Sequence, residues 1–493
     1  MDMDRVREQT CQFLVTSEDL YWKNWIGIQD DINIVALYDK YREIFSLKTL
    51  DMIQKQMRLE QNPQLKHRLK TLYGILSLGR LEYKSSAEQQ ELFNIESNVF
   101  VDWKGTKIPI RSVGVKILNE PDRESRKELI DRKEDALFTH IIPLKLQWIE
   151  SLFESIREMG YLNYVALCEE TQDRDFYQFA AQIKRFLDDS EGLYRKYLDH
   201  YLRILSHTKL DKTTHSADLA AVMRCSMFDQ FFPQTPLMEI LESTINGMGF
   251  SLAKIYLDTK DRPKKKPRAC VSAVNPPDDV RLTVYPMGGY EDYAGMLHET
   301  GHAIHFIHER KDLDFEFKFW GDRGFTEGTA YLFQHITTNT SWLTQNIGMD
   351  DPTEFISFNA FMNLLRFRRL SSQFLYQLDL FTGQTTQSMP EIYQYHTERA
   401  HGVVYESSGF VNFDLEFYSA GYLRARLFEL QLRSFLVETY GENWWQKPGT
   451  GGFLKTLFKD GRKSRADDVV NQIGFSKLDT HYYLKTQADI LNG

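Results

Sequence analysis

Apolar residues recur along most of this chain at helical spacing. Leu37, Tyr38, Tyr41 and Ile44 keep that spacing, and Ile75, Leu76, Leu78 and Leu81 continue it. Residues 119–135, 137–160 and 174–205 read as further long helices. The first of them has Asn119 or Glu120 at its edge and Pro121 near its first turn. One interruption, 99–117, alternates apolar residues around Lys104-Gly105 and predicts a hairpin. Polar and proline breaks crowd 207–236, so a boundary near 210 is expected between an N-terminal helical half, 1–210, and a second half, 211–493. No period of 20–50 residues repeats, which excludes a solenoid.

The pattern changes in the second half. Residues 269–274 and 280–285 are short β-rich runs, and Asn275-Pro276-Pro277-Asp278-Asp279 turns between them. Pro286 and Gly288-Gly289 then break the chain. A helix is expected over 291–310, with Met296, Leu297, Ile304 and Ile307 on its apolar side and Glu291 and Asp292 in its first turn, where negative charge suits the helix dipole. Residues 324–335 read as a second helix. It carries apolar Phe325, Tyr331, Leu332 and Phe333 beside small Gly328, Thr329 and Ala330, which suit close packing on the first. The fold class expected is mainly α, with a small β-sheet beside the 291–310 helix.

That helix carries the chemistry, in His298-Glu299-Thr300-Gly301-His302. Residues four apart on a helix lie about 40° apart around its axis, so both imidazoles can grip one ion. Glu299 is turned by roughly 100° from His298, which places its carboxylate beside the ion as a general base for an attacking water. Gly301 in mid-helix costs about 1 kcal/mol against alanine, which makes sense if another backbone or a substrate comes close. His308 has the spacing of a third histidine ligand, but that motif needs a glycine at 305, where His305 stands. Glu327 is the better third ligand, because a carboxylate amid small and apolar residues needs a partner. One zinc ion per chain is therefore expected on His298, His302 and Glu327, with a position left open for water. The β-rich run just upstream can pair its edge with an extended peptide backbone. His305 falls on the ligand face one turn on. It is expected either to touch substrate, to orient a carboxylate, or to rest as a structural histidine.

Composition narrows the partners. The 493 residues carry a net charge of −9 and no extended basic stretch, which speaks against nucleic acid. Lys264-Lys265-Lys266, between Pro263 and Pro267, reads as a solvated loop. No run of 18 apolar residues offers a membrane span, and MDMDRVREQT at the start has no apolar core for a secretory signal. Cys11, Cys168, Cys225 and Cys270 are scattered and expected to be free thiols in the cytoplasm. The aromatic content of 13% fits a large helical core and a peptide-binding cleft.

Residues 298–305, with Gly288-Gly289 upstream and Glu327 downstream, resemble the thimet oligopeptidase and oligoendopeptidase family of zinc metallopeptidases. REMGYLNYVAL at 157–167, EFYSAGYLRARLFELQL at 416–432 and the closing segment 440–465 are similar to that family as well. The resemblance implies a two-halved helical ellipsoid with a deep central cleft, zinc on its floor and 1–210 as wall and lid. It implies hydrolysis of short unstructured peptides by a monomer or homodimer. A carboxypeptidase or dipeptidyl carboxypeptidase of the same fold, or a weakly active peptide-binding homologue, is the alternative. Tyr418 and Tyr422 share a helix face and match the family's tyrosines, which donate to the oxyanion. Glu416 stands where the family has proline. Asn412 stands where the family has its transition-state histidine, so Asn412 or His401 is expected to take that role against substrate.

Overall fold

The computed structural model describes residues 2–29, 32–383 and 386–493, and helices dominate them. The helices that bear on the site are Met3–Trp25 (α1), Phe176–Leu205 (α2), Tyr290–Ile307 (α3), Arg323–His335 (α4), Thr353–Phe381 (α5), Tyr418–Tyr440 (α6) and Thr480–Asn492 (α7). Phe100–Trp103 (β1) and Thr106–Pro109 (β2) form a hairpin, while Tyr256–Asp258 (β3), Cys270–Asn275 (β4) and Asp279–Thr283 (β5) form a three-stranded sheet. One apolar core runs from Val6 to Leu491 and crosses residue 210 without a break. A smaller cluster lies under the hairpin, around Trp103, Val113 and Leu129. None of the helices among the described residues is long and apolar enough to cross a membrane, and all four cysteines are free.

Glycine opens the motif helix. Gly288 and Gly289 take φ of 87° and 94°, a region that a side chain disfavours. The Asp292 carboxylate, in the first turn, accepts the N–H groups of Met287 and Gly288 and ties the loop to the helix. Small residues then bring three helices together, with α4 between α3 and α6. A methyl group on Gly301 would stand 2.9 Å from the Ala330 Cα and 3.2 Å from the Phe333 Cβ, so the close backbone is that of α4. Gly328 faces the other way, against Phe428 and the Ala425 carbonyl of α6.

The sheet has the order β3-β5-β4, which leaves β4 as an edge strand. β4 and β5 are antiparallel, with Val271 opposite Leu282 and Ser272 opposite Arg281; β3 runs parallel to β5. Alternation sorts the faces. Arg281 and Tyr256 point toward α1, where the guanidinium lies 4.5 Å over the Trp22 ring and donates to Asp19. Val280 and Leu282 point into the core, toward α3.

Four local expectations change. The hairpin ends at Pro109. Ile110–Asn119 is a helix, because Ile110, Val113 and Ile117 are spaced for a helical face and bury it. The next helix begins later than expected, at Arg123: Asp122, not Asn119 or Glu120, accepts the Ser125 N–H as its cap, and Pro121 precedes it. Strand β3 was not anticipated; three residues carry too little pattern to be read. Lys265 is not solvated. It is buried, donates to the carbonyls of Asp258, Lys260 and Val284, and lies 2.9 Å from the Asp258 carboxylate, which fastens the loop to the sheet.

Gly301→Ala should lower the melting temperature. The gain in helix propensity is about 1 kcal/mol, whereas overpacking a tight contact costs about 1–3 kcal/mol. A thermal melt followed by circular dichroism checks it, and a higher melting temperature would show that α3 and α4 part freely.

Candidate metal centre

The motif helix presents His298 and His302 one turn apart, and α4 presents Glu327 opposite them. The Oε2 atom of Glu327 lies 3.3 Å from His298 Nε2 and 3.4 Å from His302 Nε2. One ligand atom from each of the three falls within 4.8 Å of the others. A tetrahedral ion with bonds of about 2.0–2.1 Å holds its ligands about 3.3 Å apart. The spacing seen here therefore fits a metal ion. The hydrogen bonding agrees: Glu327 Oε2 is buried and makes no hydrogen bond, which is the condition of an atom reserved for a cation. Among the described residues this is the one such group.

Neighbours fix each ligand. His298 packs edge-on to the Tyr331 ring at 4.9 Å, and His302 stacks on Phe306 at 5.9 Å. Tyr418 donates its hydroxyl to the second oxygen of Glu327, Oε1, at 2.7 Å. The guanidinium of Arg323, at the start of α4, lies 4.8 Å over the Tyr418 ring and pairs with Glu416 at 3.1 Å. Burial alone would lift the Glu327 carboxyl. The charges of His302 and His298 beside it outweigh burial and hold the group well below the usual carboxylate range.

Glu299 stands beside the group, not in it. Its Oε2 accepts the backbone N–H of Val271, on edge strand β4, at 2.9 Å. Burial pushes its carboxyl up to about 7, against the pull of His298 and the Val271 N–H. A half-buried carboxylate with that affinity for a proton, held one residue from a metal ligand, can act as a base near neutral pH.

Tyr418 and Tyr422 lie together, with ring centroids 4.8 Å apart, and Tyr422 is also 6.2 Å from Tyr331. Their situations differ, since Tyr418 is engaged with Glu327 and Tyr422 is not. Burial raises both phenols, so each is a hydrogen-bond donor at any ordinary pH.

Other expected residues stand apart. His305 is fully buried among the rings of Phe306, Phe325 and Phe458, and burial holds its pKa down to about 3. One turn past His302, the ligand face is covered by α4, so His305 cannot meet a substrate; it is a core residue. His401 is buried as well, with Nδ1 on the Thr397 carbonyl at 2.8 Å and its ring against Tyr405. Burial depresses its pKa to about 4, and it bonds to none of the metal-site residues. Asn412 is exposed and accepts from Lys145 at 2.8 Å. Neither residue is brought into contact with the ligands. His308 caps the end of α3 and bonds the Ile304 carbonyl, which removes it from the ligand set. Sequence reasoning missed Arg323 and the Val271 N–H. The first had a signal, a cation four residues before Glu327; the second depends on pairing that no local pattern reveals.

No family model matches the chain, and no curated protein matches it by sequence. Its fold matches solved structures along nearly its whole length. A carboxypeptidase from Pyrococcus furiosus aligns with a TM-score of 0.61 at 13% identity, over 99% of this chain and 99% of that one. A Bacillus anthracis protein described as an oligoendopeptidase F aligns with a TM-score of 0.61 at 13% identity, over 92% of this chain and 86% of the other. The mainly α fold with small sheets is thus one that these two proteins share, as the motif resemblance implies.

Tyr418→Phe should weaken metal affinity by about 10–100-fold, the usual effect of removing a hydrogen bond to a metal-binding carboxylate. Tyr422→Phe should leave affinity within about 2-fold. Chelator competition measures both, and equal affinities in the two variants would detach Tyr418 from the metal centre.

Proposed function

We propose that this protein is a zinc metallopeptidase that hydrolyses peptide bonds in short unstructured peptides. The observation that carries this reading is the pairing of two features: a His-His-Glu group at tetrahedral ligand spacing, and a carboxylate fixed beside it by a strand N–H. A purely structural metal site has no use for the second. His298, His302 and Glu327 would hold the ion, which when bound supplies Lewis acidity toward a water and a scissile carbonyl.

The side chains divide the remaining work. Glu299 takes a proton from the attacking water and returns it to the leaving amine. Its hydrogen bond from Val271 aims the carboxylate while leaving the other oxygen free. Tyr422, whose hydroxyl is not spent on Glu327, donates to the developing oxyanion. Tyr418 keeps Glu327 oriented. Asn412 and His401 take no part, so this site works without the histidine that the resemblance implied. Strand β4 lies at the sheet edge beside Glu299, and its outward backbone groups suit an extended peptide. The fold shared with a carboxypeptidase and an oligoendopeptidase supports the class of reaction. The expected cleft between the N-terminal and C-terminal halves would admit extended chains and exclude folded domains, whose radius of gyration is about 13 Å at 100 residues.

Two outcomes are expected. Zinc-loaded protein should cut unstructured peptides of about 5–20 residues and spare a native folded protein, read by mass spectrometry; rapid cutting of the folded protein would reverse the substrate assignment. Glu299→Gln should keep its metal yet fall below about a tenth of native kcat, because an amide accepts no proton. In the native enzyme kcat/KM should rise with pH to a plateau. The acid limb should lie no higher than about 7, the value burial gives Glu299 without the ion, since a bound dication pulls it down. An acid limb well above pH 7 would assign it to another group.

A further inference from the structure

One arginine beside the metal centre has no acidic partner. Helix α6 carries three arginines: Arg424 pairs with Asp467, Arg433 pairs with Glu429 at 2.7 Å, and Arg426 pairs with no carboxylate among the described residues. On the neighbouring α5, Arg366 reaches Glu291 at 2.6 Å.

 Of the three arginines on α6 itself, at 424, 426 and 433, Arg426 thus alone lacks an acidic partner among the described residues. Its guanidinium carbon lies 3.6 Å from the centroid of the Tyr331 ring, and it donates a long hydrogen bond, 3.4 Å, to Asn363 Oδ1. Tyr331 is the same ring that packs against His298.

Its position along the helix is as telling. Tyr418, Tyr422 and Arg426 follow one another at four-residue steps, so they descend one stripe of α6 by about 6 Å per step. The stripe starts at the Glu327 carboxylate and ends at a guanidinium that meets an aromatic ring and an amide but no carboxylate among the described residues. There a cavity of about 110 Å³ opens, lined by Tyr331, Asn359, Asn363 and Arg426 and by Glu429 with its partner Arg433. That is room for several waters or a small polar group.

A half-buried guanidinium without a carboxylate is costly unless a ligand supplies the anion, and its planar fork matches a carboxylate in two hydrogen bonds. A peptide adds about 3.3–3.6 Å per residue when extended. One helical turn past the oxyanion donor therefore corresponds to one or two residues past the scissile bond. The geometry points to Arg426 as the receptor for the free C-terminal carboxylate of the substrate, so that the enzyme releases one- or two-residue fragments from the C-terminus. This rests on the metallopeptidase reading and narrows it.

The test uses zinc-loaded, full-length protein and two peptides of one sequence, one ending in a free acid and the other in an amide. The native enzyme should prefer the acid by about 10-fold or more in kcat/KM, as a charge-assisted hydrogen bond implies. Its first products should be one or two residues long, read by mass spectrometry. In Arg426→Gln the acid-to-amide ratio should fall to within about 2-fold, and Arg426→Lys should give an intermediate ratio, because a point charge cannot make the paired contact. The ratio is taken within one protein preparation, so a loss of folded material cancels. Calorimetry on Glu299→Gln gives a readout without turnover, and there the acid peptide should bind about 10-fold tighter than the amide. Equal cleavage of acid and amide by the native enzyme overturns the proposal, as does a preference that survives in Arg426→Gln. So does a rate that responds to added chloride and not to the peptide terminus, which would mark a free-anion site. Failure of the zinc-loaded protein to cut either peptide would instead bring down the metallopeptidase reading, and this inference with it.

Discussion

The carboxylate of Glu327 is buried between two imidazoles, and its charge is the constraint around which the centre is built. An unpaired charge in such a place costs several kcal/mol. Protonated histidines or a metal ion can compensate it, and the spacing of the three ligand atoms favours the ion. The other oxygen is not left to chance either. It takes the Tyr418 hydroxyl, so the carboxylate has one oxygen held by the protein and one left for a cation. Its orientation is therefore set before any ligand arrives, which is what a site with little freedom to rearrange requires.

Holding that carboxylate so close to two histidines demands that α3 and α4 approach more tightly than ordinary side chains allow. Gly301 meets the Ala330 backbone on one side of α4, and Gly328 meets α6 on the other. The small residues thus do more than permit packing. They set the distance between the helix that carries two ligands and the helix that carries the third. The same logic places Glu299. Edge strand β4 has a backbone N–H to spare, and Glu299 uses it. A surface helix bearing the same pentapeptide would lack this partner, and its glutamate would be free to rotate into water.

Much of the site could be read in the sequence because its determinants are local. The four-residue spacing of His298 and His302, the glycines before the helix, and a glutamate among small residues are all short-range signals. The main helices and the β4–β5 pair were legible for the same reason. What escaped was set by contacts between distant segments. Ile110–Asn119 looked like a second strand because its apolar spacing was judged next to a hairpin. Lys265 looked solvated because a lysine run between prolines does not reveal three carbonyls waiting at the end of β3. His305 has the right angle around the helix, but an angle does not show that α4 and Phe458 have already filled that space. The position of Asn412 came from a family pattern that the local backbone does not follow.

The corner before α6 shows why a site whose ligands all lie after residue 290 needs the first half of the chain. Glu416 and Phe417 both take left-handed φ, at 66° and 53°, which costs of order 1–3 kcal/mol for each such residue. Such a turn persists only if its surroundings over-determine it. Here the Tyr164 hydroxyl accepts the Glu416 N–H at 2.7 Å, Gln172 donates to the Glu416 carbonyl at 2.8 Å, and Arg323 holds the Glu416 carboxylate. Phe417 is packed against Phe176 at 4.5 Å, and Asp414 accepts the Tyr418 N–H. Tyr164, Gln172 and Phe176 all come from the N-terminal half. They force a turn that aims the first residue of α6 at Glu327, since a regular helix entry would leave Tyr418 at a fraying end. The residue at 416 is then explained by what it does: a proline there has no N–H for Tyr164 and no carboxylate for Arg323. The N-terminal helices support the metal centre from behind, through backbone geometry, without contributing a ligand to it.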